Sequence, residues 1–213
     1  DFDGGSLEDT PLTMTVKEQL KIIEDTSPKL NFKITNDDLG VGTAKEKFAR
    51  NIEAIKTLKS RETESRRATA EEQEILSRYI GWGGLSEAFD DSKDNWHSEY
   101  TQLKDLLTAD EYSMARASTL NAHYTSPTVI RAMYKALGNM DIPNGNILEP
   151  AMGTGNFFGM LPQSMANSKL YGVELDSLTG RIAKQLYQKA NIQIKGFEKT
   201  DYSNDFFDVA VGN

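Results

Sequence analysis

The chain has no cysteine in 213 residues. That excludes disulfides and thiolate chemistry and fits a reducing, cytoplasmic setting. Histidine is scarce too. His97 and His123 lie far apart in sequence, so no metal site is expected. No apolar run approaches the ~20 residues that span a bilayer, and the opening residues do not read as a secretory signal, so no membrane partner is expected. Positive charge is in deficit, with 24 Lys and Arg against 32 Asp and Glu and a net charge of −8. A surface that grips nucleic acid by itself is usually basic. Either this chain does not hold nucleic acid, or the surface that does lies outside it. The sequence stops at Val211-Gly212-Asn213, directly after an apolar strand-like run, and so reads as a fragment of a longer protein.

What is present falls into three parts. Residues 1–43 are acidic, polar and broken by glycine and proline. They read as a flexible arm or linker with one short helix over Val16 to Ile23. Residues 44–119 read as a helical N-terminal region. Thr43 caps a helix from Ala44 to about Lys59, with Phe48, Ile52, Ile55 and Leu58 on its buried face. Arg61 to Arg67 reads as a charged connection. Thr69 with Glu72 forms a capping box for a helix carrying Ile75, Leu76 and Tyr79, which ends at Gly81. Trp82 is expected to cover the core; contact with a base is its alternative role. Thr108 with Glu111 forms another capping box. None of these helices shows a catalytic cluster.

Residues 120–213 change character. Ser126 caps a helix with Pro127 at its first position. Strands follow at Asn146 to Leu148, Lys169 to Asp176, Ile192 to Ile194 and Phe207 to Val211, with a helix over Ser177 to Lys189. Alternating strands and helices imply a parallel sheet. The centre of this part is Ile147-Leu148-Glu149-Pro150-Ala151-Met152-Gly153-Thr154-Gly155-Asn156-Phe157-Phe158. Ile147-Leu148 end a buried strand, Pro150 stops it, and Gly153 and Gly155 turn tightly without Cβ atoms, so that a ligand can lie on bare backbone. Phe157 and Phe158 open a helix. An ordinary strand–turn–helix connection is the plainer reading. Glu174, 19 residues after Gly155, ends the next strand, where a carboxylate can accept from both ribose hydroxyls of a nucleoside; capping the next helix is its alternative role. A dinucleotide fingerprint does not fit, because Phe158 stands where its third glycine belongs and Glu149 would repel a pyrophosphate. Glu149 suits a cationic or amine-bearing ligand instead, and S-adenosylmethionine carries both a sulfonium and an amine.

These motifs together resemble the adenine-N6 DNA methyltransferases. The resemblance covers about residues 120–213 and rests on five segments in one order. It implies that Tyr124, Thr125, Ser126 and Pro127 hold the methionine part of S-adenosylmethionine. It makes Glu149, Pro150, Ala151, Met152, Gly153, Thr154, Gly155, Asn156 and Phe157 the cofactor loop. Glu174, with Leu175 beside it, becomes the ribose acid. Asp201 would accept from the adenine amine, with Tyr202 flanking the ring. Phe207 to Asn213 matches the strand leading into an Asn-Pro-Pro-aromatic motif, of which only Asn213 is present. The family's asparagine accepts from the target amine, and its aromatic stacks on a flipped base. The implied fold is α/β, a truncated Rossmann-like S-adenosylmethionine-dependent methyltransferase sheet behind the helical region.

From about residue 44 the chain also resembles large proteins of bacterial conjugative elements and phages that join a methyltransferase-like to a helicase-like region, through Gly81-Trp82-Gly83-Gly84-Leu85 and Tyr171 to Leu186. The expected function is therefore the cofactor-binding part of a DNA adenine-N6 methyltransferase, with DNA met mainly by regions outside this chain and the fragment inactive alone. The alternative is a non-catalytic cofactor-binding or assembly module. Methylation of RNA or of a protein glutamine is a weaker fit to the segment order.

Overall fold

The computed structural model describes residues 27–120, 124–142 and 144–213. The helix expected over Val16 to Ile23, and Asn121, Ala122 and His123, lie outside the described residues. The described part of the arm is tied down at 30–34. Phe32 N–H donates to Leu186 O at 2.8 Å and Ile34 N–H to Gly159 O at 3.0 Å.

The helical region forms where its caps and apolar spacing direct it. Helix α1 spans Ala44–Thr63 and opens on a reciprocal capping box between Thr43 and Glu46. Phe48, Ile52, Ile55 and Leu58 are buried along one face. The helix runs past Lys59 into the stretch expected to be a connection. Arg61 meets Glu64, just past the helix end, at 2.6 Å and Glu72, in the following helix, at 2.9 Å, so its charge is paired where the two helices meet. Helix α2, Ala70–Leu76, opens on the Thr69–Glu72 capping box. It stops before Tyr79, short of the expected end at Gly81. Buried Asn51 takes over there, accepting from Ile80 N–H at 3.0 Å and donating to Gly81 O at 2.5 Å. Trp82 is 1% exposed and meets Phe89 edge-on, ring centroids 5.3 Å apart. It is a packing residue, closed to any base. Helices α3, His97–Leu106, and α4, Ala109–Ser118, follow, the latter with the Thr108–Glu111 box.

Helix α5, Pro127–Asn139, begins at the Ser126 cap with proline in its first turn. Strand β1, Asn146–Glu149, leads through the glycine turn into α6, Asn156–Gly159, a single turn. Strand β2, Lys169–Glu174, leads into α7, Ser177–Leu186; β3 is Asn191–Ile194 and β4 is Val209–Ala210. All pairings are parallel, in the order β3-β2-β1-β4. Strand β4 is shorter than expected because Phe206 and Phe207 turn onto Tyr171, with centroids 5.1 and 5.4 Å away. The molecule is thus mixed α/β, with seven α-helices and one parallel sheet among the described residues. One apolar cluster runs from Phe48 in α1 to Val211 beyond β4. Among the described residues no helix is long and apolar enough to cross a membrane.

Candidate functional site

Strands β1, β2 and β3 step in one direction across the sheet, and β4 returns to the other side of β1. Ligands of open parallel sheets sit beyond the strands' carboxyl ends at such a reversal. A cavity of about 460 Å³ opens there, within the ~300–1,000 Å³ range of small-molecule sites.

Its floor is the glycine turn. Met152 N–H donates to Val173 O at 2.9 Å and Gly155 N–H to Met152 O at 2.8 Å, so the turn is pinned to β2 and to itself. Gly153 and Gly155 have φ of +55° and +84°, where a side chain is strained. The tyrosine ring of residue 124 covers the turn, and a Cβ on Gly153 would stand 2.9 Å from Tyr124 Cε1. Burial, with Glu174 and Asp176 nearby, pushes the Tyr124 phenol well up, so it stays neutral.

Two acids define the chemistry. Glu149, at the end of β1, is 3% exposed, and among the described residues its Oε2 has no hydrogen-bond partner. Burial first, and Glu174 second, push its carboxyl well above the usual range. Glu174, at the end of β2, accepts from Gly153 N–H through Oε2 and from Asp176 N–H through Oε1, both at 2.7 Å. Each oxygen keeps a lone pair for a further donor. Burial raises this carboxyl, and the backbone N–H groups partly oppose that. Asp176 itself caps α7, accepting from Thr179 N–H at 2.6 Å. Among the described residues, the acidic residues lining the cavity are Glu149, Glu174 and Asp176, with no Lys, Arg or His beside them. Among the described residues there is also no cluster of three metal-binding side chains.

Of the residues singled out from sequence, Tyr124, Thr125, Glu149, Ala151, Met152, Gly153, Asn156, Phe157, Glu174, Leu175 and Asn213 line this one cavity. Asn213 arrives by way of β4, since Val211 N–H donates to Leu148 O at 2.8 Å. Ser126 and Pro127 serve the start of α5, and Pro150, Thr154 and Gly155 shape the turn without lining the cavity. Asp201 and Tyr202 do not line it. Asp201 is exposed. The Tyr202 hydroxyl accepts from Gln193 at 2.9 Å, and its ring meets Phe207 at 4.7 Å. Apolar contact with three other rings draws it away from the cavity. Sequence reasoning missed the opposite wall. Gly81 and, from α4, Met114, Ala117 and Ser118 all line the cavity. Met114, Ala117 and Ser118, at i, i+3 and i+4, are too weakly apolar a set to mark a buried face, so only the capping box marked α4 at all.

No family model matches the chain. It is similar to Defense against restriction protein B of Escherichia phage P1, 26% identical over 147 residues. The match covers 68% of this chain and 5% of that protein's length. These findings overturn the assignment to the adenine-N6 DNA methyltransferases and to mobile-element proteins that join a methyltransferase-like to a helicase-like region. No family model supports either, and the relative is not named as a methyltransferase. The segment order that suggested them is common to strand–glycine-turn–helix units with an acid on the next strand, which fixes a local geometry and not a family.

Proposed function

We propose that the cavity binds S-adenosylmethionine, and that a longer protein containing this chain transfers the methyl group to the exocyclic amine of adenine in DNA. The observation that carries the reading is the acidity of the lining: three carboxyl groups and, among the described residues, no basic side chain. Phosphate-bearing ligands would be repelled, and a nucleoside carrying a cation and an amine would be attracted. Strand order β3-β2-β1-β4 supports a Rossmann-like reading of the sheet, because it is the order of the first four strands of that doubly wound fold.

When bound, S-adenosylmethionine supplies an electrophilic methyl on a sulfonium. Glu149 would accept from the ligand's ammonium, and losing its proton there would relieve a buried unpaired acceptor. Glu174 would accept from ribose hydroxyls with the lone pairs left by Gly153 and Asp176. Leu175, 66% exposed at the mouth, offers an apolar surface to a base. Asn213 would accept from the target amine and aim its lone pair for in-line displacement, so the protein contributes mainly position. A methyl group on a target adenine can block its cleavage, and the relative's name makes defence against restriction a fitting role for the longer protein. The alternative, a cofactor-binding module without catalysis, keeps Glu149 and Glu174 in the same roles.

Calorimetric titration tests the reading. S-adenosylmethionine and S-adenosylhomocysteine should bind saturably, and Glu174→Ala should weaken both by ~1–3 kcal/mol. Glu149→Gln should weaken these amine-bearing ligands and leave 5′-methylthioadenosine, which lacks the amine, nearly unchanged. A folded chain that binds none of them would sink the proposal.

A further inference from the structure

The cavity that Glu149 and Glu174 line is also lined by α4, in the helical region. One turn before Met114, the same helix carries Glu111, which is 8% exposed. Its Oε2 accepts from Thr108 N–H at 2.9 Å and from Lys59 Nζ of α1 at 2.7 Å. Its Oε1 accepts from the Arg181 guanidinium of α7. Arg181 reaches Glu62 of α1 at 3.2 Å as well. Burial alone would raise the Glu111 carboxyl, but these donors outweigh it and hold it at about 2. It is therefore ionised at any working pH. Helix α7 begins three residues after Glu174, and its Thr179 lines the cavity. A single carboxylate thus fastens the helix of one cavity wall to the helix that follows the other.

We propose that Glu111 is a positioning residue for the ligand. By holding α4 against α7 it sets the gap between Met114, Ala117 and Ser118 on one side and the two strand-end acids on the other. The helical region is then a working part of the site, and its wall limits the size of what enters. This rests on the reading of the cavity as an S-adenosylmethionine site. Because α4 brings a thioether, a methyl and a hydroxyl to the wall and no charge, it selects by shape, and the acids opposite select by charge.

The test uses the chain as it stands, with S-adenosylhomocysteine as the titrant. Glu111→Gln and Arg181→Gln remove the two sides of the contact. Ile52→Val trims the core of α1 away from the cavity and serves as a variant that loses stability alone. Circular dichroism at the titration temperature establishes that each is folded. Glu111→Gln and Arg181→Gln are each expected to weaken binding about tenfold, and the double variant no more than the weaker single, because they share one contact. Ile52→Val is expected to bind as the wild type does. Amide exchange over Ala109–Ser118 should quicken in Glu111→Gln. If folded Glu111→Gln and Arg181→Gln bind within twofold of wild type, Glu111 is only structural and the inference is overturned. Should Glu111→Gln not fold, Arg181→Gln, which leaves the Lys59 contact, decides the matter by the same criterion. A folded wild type that does not bind overturns the reading of the cavity itself, and this inference with it.

Discussion

Glu149 and Glu111 are both buried carboxylates, and their environments push them in opposite directions. Glu149 has a raised value, so the folded state takes up its proton more readily than the unfolded chain does. Its favourable contribution is full below the ordinary value of 4.5 and is lost as pH rises toward the raised one. Urea unfolding without ligand should therefore show Glu149→Gln gaining on wild type between pH 5 and pH 8. A constant difference would argue against a raised value. Glu111 behaves in reverse. Its contribution is present above 4.5 and is lost as pH falls toward about 2. Acid unfolding should accordingly come at higher pH in Glu111→Gln. At this scale the sequence was partly legible. Acids at strand ends announced Glu149 and Glu174, because backbone periodicity fixes where a strand end points. Tyr202 was misplaced because its partners, Tyr171, Phe206 and Phe207, meet only after the chain has crossed the sheet.

Capping boxes made α1, α2 and α4 readable at their starts, since Thr and Glu three residues apart satisfy backbone donors locally. Helix ends were less readable. Helix α2 gives way to a segment held by Asn51, a partner that lies far back in the sequence. The glycine turn is the element most open to test. An alanine at position 155 would have φ near +84°, and its Cβ would stand 2.5 Å from Tyr187 Cε2. Strain of ~1–2 kcal/mol for the left-handed backbone adds to ~1–3 kcal/mol for overpacking. Chemical denaturation of Gly155→Ala should show a loss of about 2–5 kcal/mol. A loss below ~1 kcal/mol would mean that the turn relaxes freely. In α1, Leu58 is fully buried, and Leu58→Ala should cost ~2–5 kcal/mol by the same measurement.

Across the whole molecule, the division expected near residue 119 separates two kinds of sequence, yet buried amides join them. Gln73 of α2 donates to Gln185 O at 2.8 Å and to Leu186 O at 3.1 Å. Gln188 donates to Ala68 O at 2.8 Å, and Gln185 Oε1 accepts from Ala68 N–H at 2.8 Å. Such seams are illegible in sequence, because glutamine carries no periodicity signal and its partners are more than a hundred positions away. They predict one cooperative calorimetric transition for the helical and sheet regions together. Two resolved transitions would show that the seam is weak. Gln73→Ala should lower stability by ~0.5–1.5 kcal/mol, the net worth of a lost hydrogen bond, because the two carbonyls keep Phe32 N–H and Gln188 Nε2 as donors.

Both tryptophans of the chain, Trp82 and Trp96, are buried in the helical region. Trp82 follows Gly81, whose backbone forms part of the cavity wall. Intrinsic emission excited at the red edge of the protein band therefore reports on the helical side alone, without a label. A nucleoside entering between the sheet and α4 should shift or quench that emission, which gives an optical titration in which the helices report events at the strand ends.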